Sequence, residues 1–202
     1  DDIWPLADDH HNYWTGYFTS RPALKRQVRT GTSLLNAARQ MEVISGVNAS
    51  AVGVSLIRHP SPQVGNSWTD SFEGSLGVAT HHDGMSGTER QDVSDDYAMR
   101  ITESGTQVEA GVEKALQRLL KTDAPLAHCG ANAQLGLNMS MCAATTASDA
   151  FTTIAWNLQS KPTAEYVRVP VKLSGGQSWS VTDSSGAAVP AQLIALDRRT
   201  LS

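Results

Sequence analysis

The residues best suited to chemistry sit in one short segment, Thr80-His81-His82-Asp83-Gly84-Met85-Ser86-Gly87-Thr88. Imidazole nitrogen and carboxylate oxygen are the donors that hold a divalent metal such as zinc, and the same groups serve as acids and bases. The segment is a glycine-rich turn ahead of a helical pattern, so unsatisfied backbone N–H groups and the helix dipole lie close by. Adjacent side chains diverge, so one of His81 and His82 is expected to face the site while the other packs. A metal needs three or four ligands, and this turn offers one His and Asp83, so it is a partial site. A polar lead-in to a helix is the plain alternative. The second pair, His10-His11, is flanked by Asp8, Asp9 and Asn12 and reads as a solvated loop.

Composition narrows the classes. The 202 residues suffice for one full domain, or one and part of another. Apolar residues make up 40%, charged residues 18%, and the formal charge is -4. This excludes a disordered acidic tail, and it also excludes a nucleic-acid partner, which needs a basic stripe to displace counterions from phosphate. No run approaches the roughly 20 apolar residues of a membrane helix. The chain opens on Asp1-Asp2 and closes near Arg198-Arg199, ends that suit a processed chain or one piece of a larger polypeptide. Two cysteines, Cys129 and Cys142, leave a disulfide or two thiols open by count alone. The sequons Asn48-Ala49-Ser50 and Asn138-Met139-Ser140 tilt the balance toward a secretory or lysosomal compartment, where disulfides persist.

The elements that must position these residues follow from periodicity. Residues 1 to about 20 hold Trp4, Tyr13, Trp14, Tyr17 and Phe18 without a regular period and read as irregular structure. Leu24, Val28, Leu35, Ala38, Met41 and Ile44 recur at spacings of 3 and 4 behind Pro22, which predicts an amphipathic helix ending near Gly46. Residues 47–66 read as a loop, and a second helix is expected from about Trp68 to Ala79. A third begins after Thr88-Glu89-Arg90-Gln91, which has the form of a capping box, and carries Val93, Tyr97, Ile101, Val108, Val112, Leu116 and Leu119 with one slip near Gly105. Beyond Cys129 the pattern turns strand-like: 151–156, 166–171, 179–182 and 189–194, punctuated by Lys161-Pro162, Gly175-Gly176 and Asp183-Ser184-Ser185-Gly186. The expected class is α+β: an antiparallel three-helix bundle, then the first strands of an antiparallel β-sandwich whose other layer lies elsewhere.

Several motifs resemble one family in order along the chain. His81-His82-Asp83-Gly84-Met85-Ser86-Gly87-Thr88 with Asp96-Tyr97 is similar to the His-His-Asp-Ala-Val-Ser-Gly-Thr hallmark of glycoside hydrolase family 38, the class II α-mannosidases. Asp2-Ile3-Trp4-Pro5-Leu6-Ala7 resembles that family's Asp-Phe-Phe-Pro-Tyr-Ala segment, and residues 13–22 are nearly its Tyr-Trp-Thr-Gly-Tyr-Phe-Thr-Ser-Arg-Pro. Leu137-Asn138-Met139-Ser140-Met141-Cys142 and Tyr166-Val167-Arg168-Val169-Pro170-Val171 look like the lysosomal or vacuolar members. Thr80 stands where Gln is usual, and Gly84-Met85 replace Ala-Val.

The resemblance implies a division at 1–20 (edge of an α/β catalytic domain), 21–125 (helix bundle) and 126–202 (start of a β-sandwich). It implies Zn2+ as cofactor with His82 as a ligand, Asp83 on mannose hydroxyls, and Trp14 in the wall of the sugar pocket. The retaining hydrolase's nucleophile and acid/base aspartates would lie upstream, so no catalytic residue is expected in this chain. Its expected partners are the remaining segments of the same α-mannosidase and a mannose-containing N-glycan, with homodimerisation left open, and its location is lysosomal, vacuolar or secreted. Cysteine proximity and the sequons predict a Cys129–Cys142 disulfide, with glycosylation at Asn138 ahead of Asn48. The rival reading is a carbohydrate-binding or structural glycoprotein chain without metal.

Overall fold

The structure, a computed structural model, describes residues 7–53, 67–129, 142–173 and 178–196. Asn138 and the Gly175-Gly176 turn lie outside them. The chain is helix-rich with a small antiparallel sheet, an α+β composition.

Pro22 opens α1 (Pro22–Ser45) because its fixed φ suits the first turn and its missing N–H has no helical partner to lose. Gly46 closes it at φ 66°, where a left-handed residue lets its N–H return to Glu42 O at 2.9 Å. Leu24, Val28, Leu35, Ala38 and Met41 are buried as their spacing predicts, but Ile44 is 60% exposed. At 3.6 residues per turn the seam continues from Met41 through Ser45, and Ile44 falls on the outer face.

The stretch after Gly46 contains a short helix, α2 (Ala49–Val52), capped by Asn48, whose Oδ1 accepts from Ala51 N at 3.0 Å. Next comes α3 (Asp70–Ala79), anchored at its entry by Glu42: Oε1 accepts from Trp68 N at 3.1 Å and Oε2 from Ser67 Oγ at 2.8 Å. A one-turn helix, α4 (His82–Ser86), leads into the long α5 (Gln91–Leu120), which runs through Gly105 without interruption. The sequence's capping box does not form. Arg90 occupies the cap without a side-chain bond, Thr88 turns back to Asp83, and Gln91 reaches Arg21 and Asp95.

Helices α1, α3 and α5 touch pairwise around one core of Leu24, Val28, Trp68, Phe72, Leu76, Ile101, Val108 and their neighbours. Two glycines set how closely they approach: a Cβ at Gly111 would lie 2.2 Å from the Trp68 ring, and one at Gly31 would lie 2.8 Å from Leu76. Trp68 is 1% exposed, and its indole N–H donates to Val47 O at 3.0 Å. Burying a side chain of this size contributes about 4–6 kcal/mol by area. Two polar side chains within the core are partnered, Gln27 Nε2 with Ala98 O at 2.9 Å and Ser104 Oγ with Ser75 Oγ at 2.9 Å.

The aromatic N-terminal region is more ordered than its aperiodic sequence suggests. β1 (Ala7–Asp9) pairs antiparallel with β2 (Asn12–Tyr13), and a 3-10 turn follows at Thr15–Phe18. Its ladder hydrogen bonds are local and need no hydrophobic alternation. At the other end, Cys129 and Cys142 are joined by a disulfide, and Cys142 precedes the one-turn α6 (Ala143–Thr146). The four strand-like runs after residue 150 form no ladder among the described residues. Their assembly is limited to the bridge Thr182–Ala188, at a turn where Asp183 Oδ1 accepts from Ser185 and Ala187. A two-stranded ribbon with no facing layer has little with which to propagate pairing.

Candidate functional site

The turn that carries the histidines begins where α3 stops. Thr80 N donates to Leu76 O at 3.0 Å and His81 N to Val78 O at 3.1 Å, after which His81 takes extended backbone angles, φ -49° and ψ 145°. His82 is already helical. This abrupt change of backbone brings the two rings to 4.1 Å between centroids at 52°, instead of sending them apart. The expected division of labour, with one ring at the site and the other packed, is therefore corrected. Both histidines are exposed, and both face the same carboxylate: Asp83 Oδ2 lies 3.2 Å from His81 Nε2 and 3.6 Å from His82 Nε2.

Asp83 is held from below. Thr88 Oγ1 donates to its Oδ1 at 2.8 Å, and this bond, supported by His81, keeps the carboxyl below its usual pKa. The backbone closes the loop, with Gly87 N on Asp83 O at 2.8 Å and Thr88 N on the same oxygen at 3.0 Å. Gly84 is required by space: a Cβ there would lie 2.6 Å from Ala79 O and 3.1 Å from Tyr97.

One donor atom from each of His81, His82 and Asp83 lies within 4.8 Å of the others, a grouping not repeated among the described residues. Two imidazole nitrogens and an ionised carboxylate oxygen are the ligand chemistry of zinc, and the exposure of His82, at 83% of its side chain, leaves room for ligands from elsewhere. The residues thus fit a zinc ion in part.

Trp14 caps the 3-10 turn Thr15–Phe18, which packs beside α4, so the aromatic and metal-type turns are neighbours. Trp14 is 50% exposed, so part of its indole remains accessible. Asn48 is exposed and caps α2, and Cys129 and Cys142 belong to the disulfide.

Residues 12–119 match the family described as alpha mannosidase middle domain. The chain belongs to this α-mannosidase family. Relatives extend the match over nearly all of it: a probable alpha-mannosidase of Arabidopsis thaliana is 37% identical across 98% of this chain, and the lysosomal alpha-mannosidase of Homo sapiens is 33% identical across 96%. That of Felis catus is 32% identical across 97%. The chain spans 18%, 17% and 18% of those relatives' lengths, respectively. No solved structure matches.

Within the middle domain, sequence reasoning missed the groups that brace the site. Glu89 falls within the capping-box pattern, yet its side chain is 3% exposed and pairs with Arg21 Nε at 3.0 Å. The available signal was Arg21 itself, a charged residue wedged between an aromatic block and a helix-opening proline.

Proposed function

We propose that the chain is the middle portion of a zinc-dependent, retaining exo-α-mannosidase that removes terminal α-D-mannosyl residues from N-glycans. His82 is its zinc ligand, Asp83 binds mannose hydroxyls, and Trp14 forms part of the wall on which the sugar stacks. The observation that carries this reading is the packing of the His82–Asp83 turn beside the Trp14 turn, both inside the segment matched to the mannosidase family. Held at His82, zinc would supply Lewis-acid stabilisation of an oxocarbenium-like state. The chain's own share is to present His82 outward, keep Asp83 ionised through Thr88, and offer the indole face of Trp14.

Residues 1–20 are the edge of an α/β catalytic domain that carries the nucleophile and acid/base aspartates. Residues 21–125 are an antiparallel three-helix bundle built on α1, α3 and α5, and residues 126–202 begin a β-sandwich completed by other segments of the enzyme. The names of the mammalian relatives support a lysosomal or vacuolar location, with N-glycans on Asn138 and Asn48.

The test uses the intact protein with an aryl α-mannoside. Chelation should abolish cleavage, and added zinc should restore it. The first-formed sugar, followed by NMR, should keep the α configuration. Undiminished cleavage by zinc-free protein would remove the metal from the mechanism, and a β-configured product would remove retention.

A further inference from the structure

Arg21 is unusual in its backbone before its side chain is considered. It sits at φ 47° and ψ 58°, a left-handed conformation that residues with a Cβ seldom adopt and that persists where surroundings enforce it. The enforcing contacts come from its guanidinium. Nη1 donates to Gln91 Oε1 at 2.7 Å, Nη2 donates to Glu89 O at 2.7 Å, and Nε lies 3.0 Å from Glu89 Oε1.

Glu89 is the costly partner. Its side chain is 3% exposed, Oε1 is within ion-pair range of Arg21 without hydrogen-bond alignment, and Oε2 has no hydrogen-bond partner among the described residues. Two well-packed apolar side chains would join these segments at least as firmly. What a planar guanidinium adds, by contacting two residues in three places, is direction.

The segments joined in this way are the two halves of the candidate site. Arg21 follows the turn capped by Trp14, with Ser20 between it and Thr19, and Ser20 Oγ donates to Ser86 O at the end of α4. Gly87, at φ 74°, approaches Ser20 so closely that a Cβ would lie 2.1 Å from its Oγ. Glu89 immediately follows Thr88, the residue that holds Asp83. A shift of the guanidinium would therefore be felt at Trp14 through one backbone and at Asp83 through the other.

We propose that Arg21, acting through Glu89, is a positioning residue that sets the distance and angle between the Trp14 wall and the His82–Asp83 metal turn. The proposal rests on the mannosidase reading above and deepens it. Its signature is a joint loss of substrate fit and metal retention, because the clamp connects the elements responsible for each.

The experiment compares Arg21→Lys and Glu89→Gln with Val108→Ala in the intact enzyme. Val108 lies on the buried seam of α5 outside the clamp and serves as a control for lost stability. KM, kcat, Tm and the rate of zinc loss to a chelator are measured for each. The clamp variants should raise KM and speed zinc loss by about tenfold, the low end of what supporting residues contribute at metal sites, while Val108→Ala lowers Tm and leaves both unchanged. Clamp variants that keep wild-type KM and zinc retention, or that change only in step with Val108→Ala, overturn the positioning role. Should Glu89→Gln fail to fold, Arg21→Lys, which retains the charge and loses the fork, decides alone. A wild-type enzyme that neither retains zinc nor cleaves the mannoside overturns both readings, whereas one that does both while the clamp variants stay silent overturns only this one.

Discussion

The molecule contains the same dipeptide twice, and the two copies differ in what the neighbouring carboxylates do. His10 and His11 stack at 4.0 Å and 50°, nearly the arrangement of His81 and His82 at 4.1 Å and 52°. Both pairs are exposed and both have aspartates nearby. At the hairpin tip, however, Asp8 accepts from Asn12 Nδ2 at 2.5 Å and Asp9 from His10 N at 2.7 Å, so the carboxylates serve the turn itself. In the second copy the carboxylate faces both rings, and Thr88 and the approach to α5 hold it there. Residue type and ring geometry therefore do not make a site. A carboxylate committed to the imidazoles and a scaffold behind it do.

The contrast is broken most directly by truncating each pair. His82→Ala should reduce zinc affinity by more than the roughly 10–100-fold that outer-shell partners contribute and abolish mannoside cleavage. His10→Ala should change neither. Zinc content by atomic absorption, with turnover of the aryl mannoside, separates the two, and equal zinc in the His82 variant would sink the assignment.

Removing the scaffold is the next largest perturbation. Gly84→Ala introduces the residue usual in the resembled family, yet here its Cβ meets Ala79 O and Tyr97. Overpacking of this kind costs about 1–3 kcal/mol. Denaturant unfolding of the intact protein should show the loss, and an alanine variant as stable as wild type would mean that the turn is not pressed against α3.

A smaller change follows from Thr88→Val. Thr88 is the main cause of the lowered pKa of Asp83, so its loss lets that pKa rise toward the ordinary carboxylate value. The sign is definite: a depressed carboxyl is ionised down to lower pH, and the variant's KM for the aryl mannoside should rise at a higher pH than wild type's as the solution is acidified. An unshifted acid limb of the KM profile would show that Asp83 does not depend on Thr88.

The smallest effect concerns the support that only the second pair has. Burial raises Glu109, on α5, to about 7. A carboxyl with a raised folded-state pKa contributes stability that is complete below its ordinary value near 4.5 and is lost as pH rises through about 7. Glu109→Gln should therefore slow amide exchange in α5 at pH 7 relative to wild type, by the equivalent of about 1 kcal/mol after allowing for solvent screening, and should do little at pH 4.5. Exchange in the hairpin Ala7–Tyr13 should not respond. Equal exchange of α5 in both proteins at pH 7 would remove the pH dependence from Glu109.

Much was legible in one dimension because its causes are local or periodic. The apolar stripe of α1, its opening proline and closing glycine, and the repeat carried by α5 report a helix's own geometry. The Cys129–Cys142 disulfide follows a pair close in sequence, and the aspartate beside His82 was visible as a donor set. The readings that needed correction had both local and distant causes. Ile44 falls outside the seam that the helix's own turn carries from Met41 to Ser45, both rings share Asp83 within one tight turn, and the Thr88–Gln91 cap gives up one end to nearby Asp83 and the other to distant Arg21. The strand-like runs after residue 150 kept their composition but found no ladder among the described residues, since pairing needs a facing layer that periodicity cannot supply.

What the sequence by itself determined is where α1 begins and ends, most of the apolar stripes of α1 and α5, and which residue types meet in the His-His-Asp turn. Only the tertiary structure decided that Trp68 covers Gly111, that Gly87 meets Ser20, and that Arg21 reaches Glu89. Propensity and periodicity act over a few residues, whereas these contacts depend on how closely separate backbones approach. That approach is set jointly by every side chain packed between them.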